Sequence, residues 1–367
     1  MGATPISKRI KMKIAIILGT RPEIIKMSPI IRECIDQNID FFIIHSNQHY
    51  SQEMDKIFFD ELSLPIPKYN LNVGSKPREE MISQIEDLSR SILESEKPDW
   101  IMVQGDTNTV LAGAQIASKL GIKVGHIEAG LRSYDQSMPE ETNRIKTDHI
   151  SNLLFTPTAI QTNILLKEGI GQEKIYEVGN TIVDAVNQSI KLIETHTEFD
   201  HLKKKKYFLL TTHRPSNVDN QKNLQNIINS LTKISEKYKH PVYFPIHPRT
   251  QKQLDLFNLK LDSKIFKILP PVGYLEMLAL EKNAQLIFTD SGGIQEEACI
   301  LRVPCITLRD NTERPETVDV GANIVTGLNY SNILKATQTM LATKPSWTNP
   351  FGNGDTSKKI IQITKNN

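Results

Sequence analysis

The feature that most constrains the fold of this chain is a set of short apolar runs that have no polar face. Lys13–Leu18, Phe41–His45, Trp100–Val103, Val124–Ile127 and Leu153–Phe155 are each followed by a longer stretch of helical character. A half-buried strand alternates apolar with polar residues, whereas a run apolar on both faces belongs inside a parallel sheet covered by helices. After a polar, Lys-rich stretch near residues 190–206 the pattern restarts with Tyr207–Thr212, Val242–Pro245, Ile265–Leu269, Leu286–Thr289 and Cys305–Leu308. Two successive β-α-β series predict an α/β chain of two doubly wound, Rossmann-like domains facing across a cleft. A length of 367 residues agrees, since it exceeds what one hydrophobic core usually supports. The expected organisation is a flexible leader over 1–11, a first domain over 12–188, a linker over 189–206 and a second domain over 207–348. The segment 349–367 is read as a helix returning to the first domain.

Charge and composition exclude several classes of partner. A net charge of only +2 offers no field for a nucleic-acid backbone. The basic run Lys203–Lys206 reads as a solvated linker, because no aromatic or Arg residue interleaves it. No apolar run approaches the ~20 residues of a membrane-spanning helix, and the basic leader lacks the apolar stretch of a secretory signal. The three cysteines, Cys34, Cys299 and Cys305, form neither a C-x-x-C pair nor an even disulfide set, which fits a reducing cytoplasm.

In doubly wound sheets ligands sit beyond the carboxyl ends of the strands. The unusual polar clusters fall there: Gly19–Glu23, Gln104–Thr107 and Glu128–Arg132 in the first half. In the second half they are His213 with Arg214, His247–Arg249 and Asp290–Gly293. Ser291-Gly292-Gly293 opens a predicted helix, where bare backbone N–H groups and the positive helix end can hold a diphosphate. A simple N-cap with a tight turn would explain the same three residues. Glu297, about one and a half turns on, is close enough to the helix start to accept ribose hydroxyls, whereas Glu296 reads as a surface residue. Arg21 and Lys26 flank the first strand-to-helix turn, against the usual dipole preference, as cations placed to meet an anion. His213, Arg214 and Arg314 add donors from the other half.

Asp106, Glu128 and Glu140 are carboxylates at loops of the first half, and carboxylates gathered in a closed site can have their pKa values pushed apart into an acid and a base. Asp106 could instead be a helix N-cap, and Glu140 a first-turn acidic residue after Pro139. There is no G-x-G-x-x-G after the first strand, no Walker loop, no H-E-x-x-H and no Cys/His ligand set, so neither a nicotinamide cofactor nor a metal is expected.

Seven blocks, in order, give the chain a specific resemblance over nearly its whole length from Met12. They are GTRPEIIK at 19–26, QGDTNTV at 104–110, HIEAGLRS at 126–133, PEETNR at 139–144, TTHR at 211–214, TDSGGIQEEA at 289–298 and RDNTERPE at 309–316. With them the sequence resembles the non-hydrolysing UDP-N-acetylglucosamine 2-epimerases, whose fold is of the glycosyltransferase-B type. The resemblance implies interconversion of UDP-GlcNAc and UDP-ManNAc through elimination of UDP to 2-acetamidoglucal and re-addition. It implies Asp106, Glu128 and Glu140 as acid/base carboxylates, with His213 assisting at the leaving phosphate. The order in which they move protons is left open. It further implies Arg21, Lys26, Ser291, Gly292, Gly293, Glu297 and Arg314 as binders of the nucleotide and diphosphate, no cofactor, and a homodimer.

Two departures stand out. Many bacterial relatives carry a second arginine after the histidine of the THR block, tied to activation by substrate at a neighbouring site; here Pro215 follows Arg214, and Ser216 and Asn217 continue the run. The segment after Gln48 and His49 also differs. Gln48 and His247 are the expected neighbours of such a regulatory site, and Pro215 predicts weaker or altered activation. Competing readings are a hydrolysing epimerase that releases ManNAc, a glycosyltransferase of the same fold, and an inert UDP-sugar binder. The three carboxylates of the first half favour chemistry at C2.

Overall fold

The computed structural model describes residues 12–48, 52–135, 138–195, 197–202 and 206–367. The leader expected over 1–11, part of the segment after Gln48, and Lys203 to Lys205 of the expected linker lie outside the described residues. Two compact units are present, one holding the chain up to Ala185 together with Phe351–Asn367, the other Val186–Pro350.

In the first unit the described strands are β1 Lys13–Leu18, β2 Asp40–His45, β3 Tyr69–Asn70, β4 Trp100–Gln104, β5 Lys123–Ile127, β6 Leu153–Thr156 and β7 Ile175–Glu177. They form one sheet in the order β3-β2-β1-β4-β5-β6-β7. In the second, β8 Phe208–Thr211, β9 Val242–Pro245, β10 Phe266–Leu269, β11 Leu286–Thr289, β12 Cys305–Thr307 and β13 Asn323–Val325 pair in the order β10-β9-β8-β11-β12-β13. Every neighbouring pair is parallel. The expected α/β class with two doubly wound, Rossmann-like domains is therefore the observed one. β3, β7 and β13, of two or three residues, have no apolar run long enough to announce them in the sequence.

Continuous apolar strands are possible because helices cover both faces. Ile14 to Leu18 of β1 are fully buried, as are Phe208, Leu286 and Phe288 at the centre of the second unit. In each sheet the strand order reverses once beside the first strand: between β1 and β4, and between β8 and β11. Chains leaving these strand pairs diverge to opposite faces and open a crevice at the carboxyl edge. The Gly19 and Gln104 turns border the first such point and the Thr212 and Asp290 turns the second.

The stretch expected as a linker over 189–206 is largely helical. A helix runs from Thr181 to Thr195, and a 3-10 turn covers Thr197–Leu202. Ile182, Val183, Val186 and Ile193 recur at helical spacing and are buried, a period masked in the sequence by the polar residues between them.

The C-terminal helix Thr356–Asn366 packs on the helix Arg21–Asp36 within the first unit. Asp184 ties its start down. Its carboxylate accepts from Ser357 N at 2.9 Å, Ser357 Oγ at 2.8 Å and Thr356 N at 3.3 Å, all buried. A charged side chain at a helix N-terminus satisfies otherwise orphaned N–H groups. Asp184→Ala is expected to destabilise the protein by about 2–3 kcal/mol in urea unfolding, and Ser357→Ala by about 1 kcal/mol. Equal effects would show that the helix is not held through Asp184.

Candidate active site

At the first switch point the turns after β1, β4 and β5 bring charged side chains together. Glu128, one residue beyond β5, is 4% exposed and sits at φ +67°. That left-handed conformation costs a non-glycine residue on the order of 1 kcal/mol and persists only where the surroundings enforce it. They do so here. Lys26 Nζ donates to both carboxylate oxygens, at 3.0 and 2.9 Å, and Gln104 Nε2 donates to Oε2. Two residues on, Gly130 has φ +80°, and a Cβ there would lie 2.7 Å from the Gln161 carbonyl oxygen, so only glycine fits.

Asp106 follows β4 and keeps 32% of its side chain exposed. Arg144 Nη2 holds Asp106 Oδ2, while Arg144 Nη1 lies 3.5 Å from the Glu128 carbonyl oxygen. Asn143 Nδ2 donates to the Asp106 carbonyl at 3.0 Å. The helix Pro139–Ile150 thus braces both carboxylate turns from one side. Asp106 is not a helix cap: Thr107 is, its hydroxyl accepting from Val110 N at 3.3 Å. Glu140 is exposed on the first turn of Pro139–Ile150, and its neighbour Glu141 is the buried one, accepting from Ser133 N and Oγ at 2.7 and 2.8 Å.

Of the cations expected to await an external anion, Lys26 meets Glu128 in this structure. Arg21 lays its guanidinium over the Phe58 ring at 4.5 Å. Gln48 is buried, its Oε1 accepting from Thr109 Oγ1 at 2.8 Å and Thr109 N at 3.2 Å, and so braces the helix Asn108–Lys119.

In the second unit Asp290, just after β11, is fully buried and gathers the turn after β8. It accepts from Thr212 Oγ1 at 2.6 Å, His213 N at 3.1 Å, Arg214 N at 3.0 Å and Asn217 Nδ2 at 3.0 Å. Burial pushes the Asp290 carboxyl up, but His213, whose Nδ1 lies 3.2 Å away, and these donors outweigh it and hold the carboxyl below its ordinary value. The His213 ring lies 5.4 Å from that of His247, which caps the next helix through Arg249 N at 3.1 Å. Pro215 opens the short helix Pro215–Val218, with Arg214 as its N-cap.

The Ser291 turn begins the helix Gly292–Leu301, and the Ser291 side chain makes no cap hydrogen bond. A Cβ on Gly292 or Gly293 would come no nearer than 3.7 or 3.9 Å to its neighbours. Packing does not demand glycine there, which leaves the bare backbone as its physical result. Around the turn stand cations balanced by carboxylates. Arg309 grips Glu313 with two contacts of 2.8 Å, and Arg214 lies 3.8 Å from it. Burial alone would raise Glu313, yet Arg309, Arg214 and Arg314 pull it down to about 2. Glu296, read from sequence as a surface residue, is 1% exposed and pairs with Arg314 at 2.7 Å. Helical periodicity could not show this, because the charge that compensates Glu296 lies in the next segment. Glu297 is buried beside Glu281, whose carboxyl is pushed well above the carboxylate range by burial and then by the Glu297 charge.

Sequence reasoning assigned no role to Glu23, His126, Asn143, Arg144, Asp148, Asp290, Arg309 or Glu313. Most lie inside the seven blocks. For Asp148 the available signal was its position four residues after Arg144, on the same helix face.

A sequence profile described as UDP-N-acetylglucosamine 2-epimerase matches residues 32–365. The UDP-N-acetylglucosamine 2-epimerase of Methanocaldococcus jannaschii is 59% identical over 360 residues, 96% of this chain and 98% of that protein. The crystal structure of the M. jannaschii enzyme in complex with UDP-GlcNAc and UDP aligns with a TM-score of 0.88 at 57% identity, over 97% of this chain and 100% of that one. The Neisseria meningitidis enzyme bound to UDP-GlcNAc aligns at 0.88 and 32% identity, again over 97% and 100% of the two chains.

Glu23 carries a pH dependence that can be measured. Its Oε2 accepts from Gly19 N at 2.5 Å and Thr20 N at 3.0 Å, and its Oε1 from Thr107 Oγ1. Burial pushes the carboxyl from 4.5 up to about 7, against these three donors, with the Asp106 charge adding to the rise. A folded pKa above the unfolded one gives stability that is full below the unfolded value and is lost as pH rises through the folded value. Between about pH 5 and pH 8, wild type should therefore lose on the order of 3 kcal/mol relative to the non-titrating Glu23→Gln. Parallel stability curves for the two proteins would refute this.

Proposed function

Because the chain belongs to the UDP-N-acetylglucosamine 2-epimerase family and is therefore an isomerase acting on a nucleotide sugar, we propose that it interconverts UDP-GlcNAc and UDP-ManNAc by eliminating UDP and adding it back. The observation that carries this reading is that Arg144 links the Asp106 carboxylate to the backbone carbonyl of Glu128, joining the two carboxylate-bearing turns beside the switch point of the first sheet.

The C2–H bond is a weak acid, so a positioned carboxylate must take its proton while the C1–O bond to the diphosphate breaks. 2-Acetamidoglucal and UDP result. Return of UDP to C1, with a proton delivered to C2 from the opposite face, completes inversion, so two proton-handling groups are needed. Asp106 and Glu128 fill that requirement, and Glu140, carried over by motif, is the third candidate. Removing the proton leaves negative charge that flows to the departing diphosphate, and preorganised cations and helix-end amides stabilise it. His213, held by Asp290, is assigned to the leaving phosphate. Arg21, Lys26, Ser291, Gly292, Gly293, Glu297 and Arg314 are assigned to the nucleotide, and Lys26 also neutralises Glu128. The cycle is redox-neutral and invokes no nicotinamide.

Gln48 and His247 remain the proposed neighbours of a regulatory site, with activation by substrate weakened or altered because Pro215 replaces the second arginine. A homodimer in the cytoplasm completes the reading; all three cysteines are buried and unpaired, as a reducing compartment permits. No helix among the described residues is long and apolar enough to cross a membrane.

Incubation with UDP-GlcNAc in D2O should place deuterium at C2 and yield UDP-ManNAc without stoichiometric free UDP. Accumulating ManNAc and UDP would instead indicate hydrolysis. Asp106→Asn and Glu128→Gln should each lower kcat by about 10²–10⁴-fold with little change in UDP affinity. Near-normal turnover would remove the residue concerned from the chemistry.

A further inference from the structure

Behind the two carboxylate turns lies a buried charged cluster that the chemistry does not use. His126, on β5, is fully buried, with Nε2 lying 2.8 Å from the Gly105 carbonyl oxygen and Nδ1 lying 2.7 Å from Asp148 Oδ1. The other carboxylate oxygen, Asp148 Oδ2, receives Arg132 Nη2 at 2.7 Å and Gly130 N at 3.3 Å. Arg132 in turn grips Glu168 through Nε at 2.8 Å and Nη2 at 2.6 Å.

The acceptors around the imidazole dictate its role. A carbonyl oxygen can only accept, so Nε2 donates to Gly105. Asp148 already collects an arginine and an amide, so it is the acceptor for Nδ1 as well. Burial alone would push the Asp148 carboxyl up, but His126 and Arg132 outweigh it and hold it below its ordinary value. Both ring nitrogens of His126 are therefore engaged by partners inside the protein, which makes its role structural support of the turns it joins.

What the cluster joins gives it its meaning. Gly105 immediately precedes Asp106, and Gly130 lies two residues after Glu128. One hydrogen-bonded chain therefore runs from the peptide before one carboxylate, through His126 and Asp148, to the turn after the other. From the same helix Arg144, one turn before Asp148, touches Asp106 Oδ2 and the Glu128 carbonyl. A charged pair whose only function was to fill a core would gain nothing from this placement, since apolar residues of similar volume do as well.

We propose that His126 and Asp148 are positioning residues that fix the turns bearing Asp106 and Glu128 relative to each other, and so set the geometry of proton transfer at C2. The proposal rests on the assignment of Asp106 and Glu128 to that transfer. A displacement of ~1 Å at a reacting group can cost about 100-fold in rate.

The test compares His126→Phe, which keeps a ring but no donor, with His126→Gln, which restores an N–H toward Gly105, and Asp148→Asn, which keeps size but loses charge. Asp106→Asn is run beside them, and each variant is assayed for kcat, KM, UDP affinity and C2 deuterium exchange. His126→Phe and Asp148→Asn should lose about 100-fold in kcat and in exchange rate, with KM and UDP affinity within about threefold of wild type. His126→Gln should recover at least about tenfold over His126→Phe. Should His126→Phe fail to fold, Asp148→Asn and His126→Gln decide alone, and a kcat within about threefold of wild type in both overturns the proposal. Equal losses of kcat and of UDP-binding capacity would also overturn it, because they indicate only a smaller folded fraction. If Asp106→Asn keeps its turnover, the acid/base assignment fails instead, which separates the two outcomes.

Discussion

A carboxylate taken out of water is stabilised only by donors arranged around it, and removing those donors costs several kcal/mol. Each unit has such a carboxylate beside its strand-end turns. Asp148 in the first collects His126, Arg132 and Gly130 N; Asp290 in the second collects Thr212, Asn217 and the backbone of His213 and Arg214. Both are buried, and both are held below their ordinary pKa because the donors outweigh burial. Strand-end turns would otherwise leave backbone N–H groups unpaired. The buried aspartates supply those partners, and the turns they tie down carry the side chains assigned to the proposed chemistry.

This arrangement divides the demands on the two units. The first carries carboxylates on neighbouring strand-end turns and pairs each with a cation, Lys26 on Glu128 and Arg144 on Asp106. The second gathers arginines near the Ser291 turn and pairs them with Glu313 and Glu296. The proposed mechanism makes two opposite electrostatic demands, proton transfer at carbon and retention of a diphosphate, and assigns them to the first and second units respectively.

Much of this was legible before any coordinates. Long apolar strands announce themselves because a parallel sheet buries both faces, and the ends of those strands localise the polar clusters. The short strands β3, β7 and β13 were not legible, since two or three residues carry no period. The end of the helix through Thr195 was read as linker because Lys191 and Glu194 dilute its apolar stripe just before the Lys-rich stretch. Thr107, not Asp106, proved to be the cap, a distinction decided by one hydrogen bond to Val110 N.

The sequence by itself determined the α/β class, the two doubly wound units and the membership of the epimerase family, and it marked the strand ends where polar residues cluster. Those properties follow from periodicity and from contiguous blocks, which are local. Tertiary structure alone decided the partners: that Lys26 meets Glu128 across 102 positions, that Arg144 joins Asp106 to the Glu128 turn, and that His126 and Asp148 stand behind both. A buried charge is defined by what surrounds it in space, and no spacing within a single strand or helix contains that information.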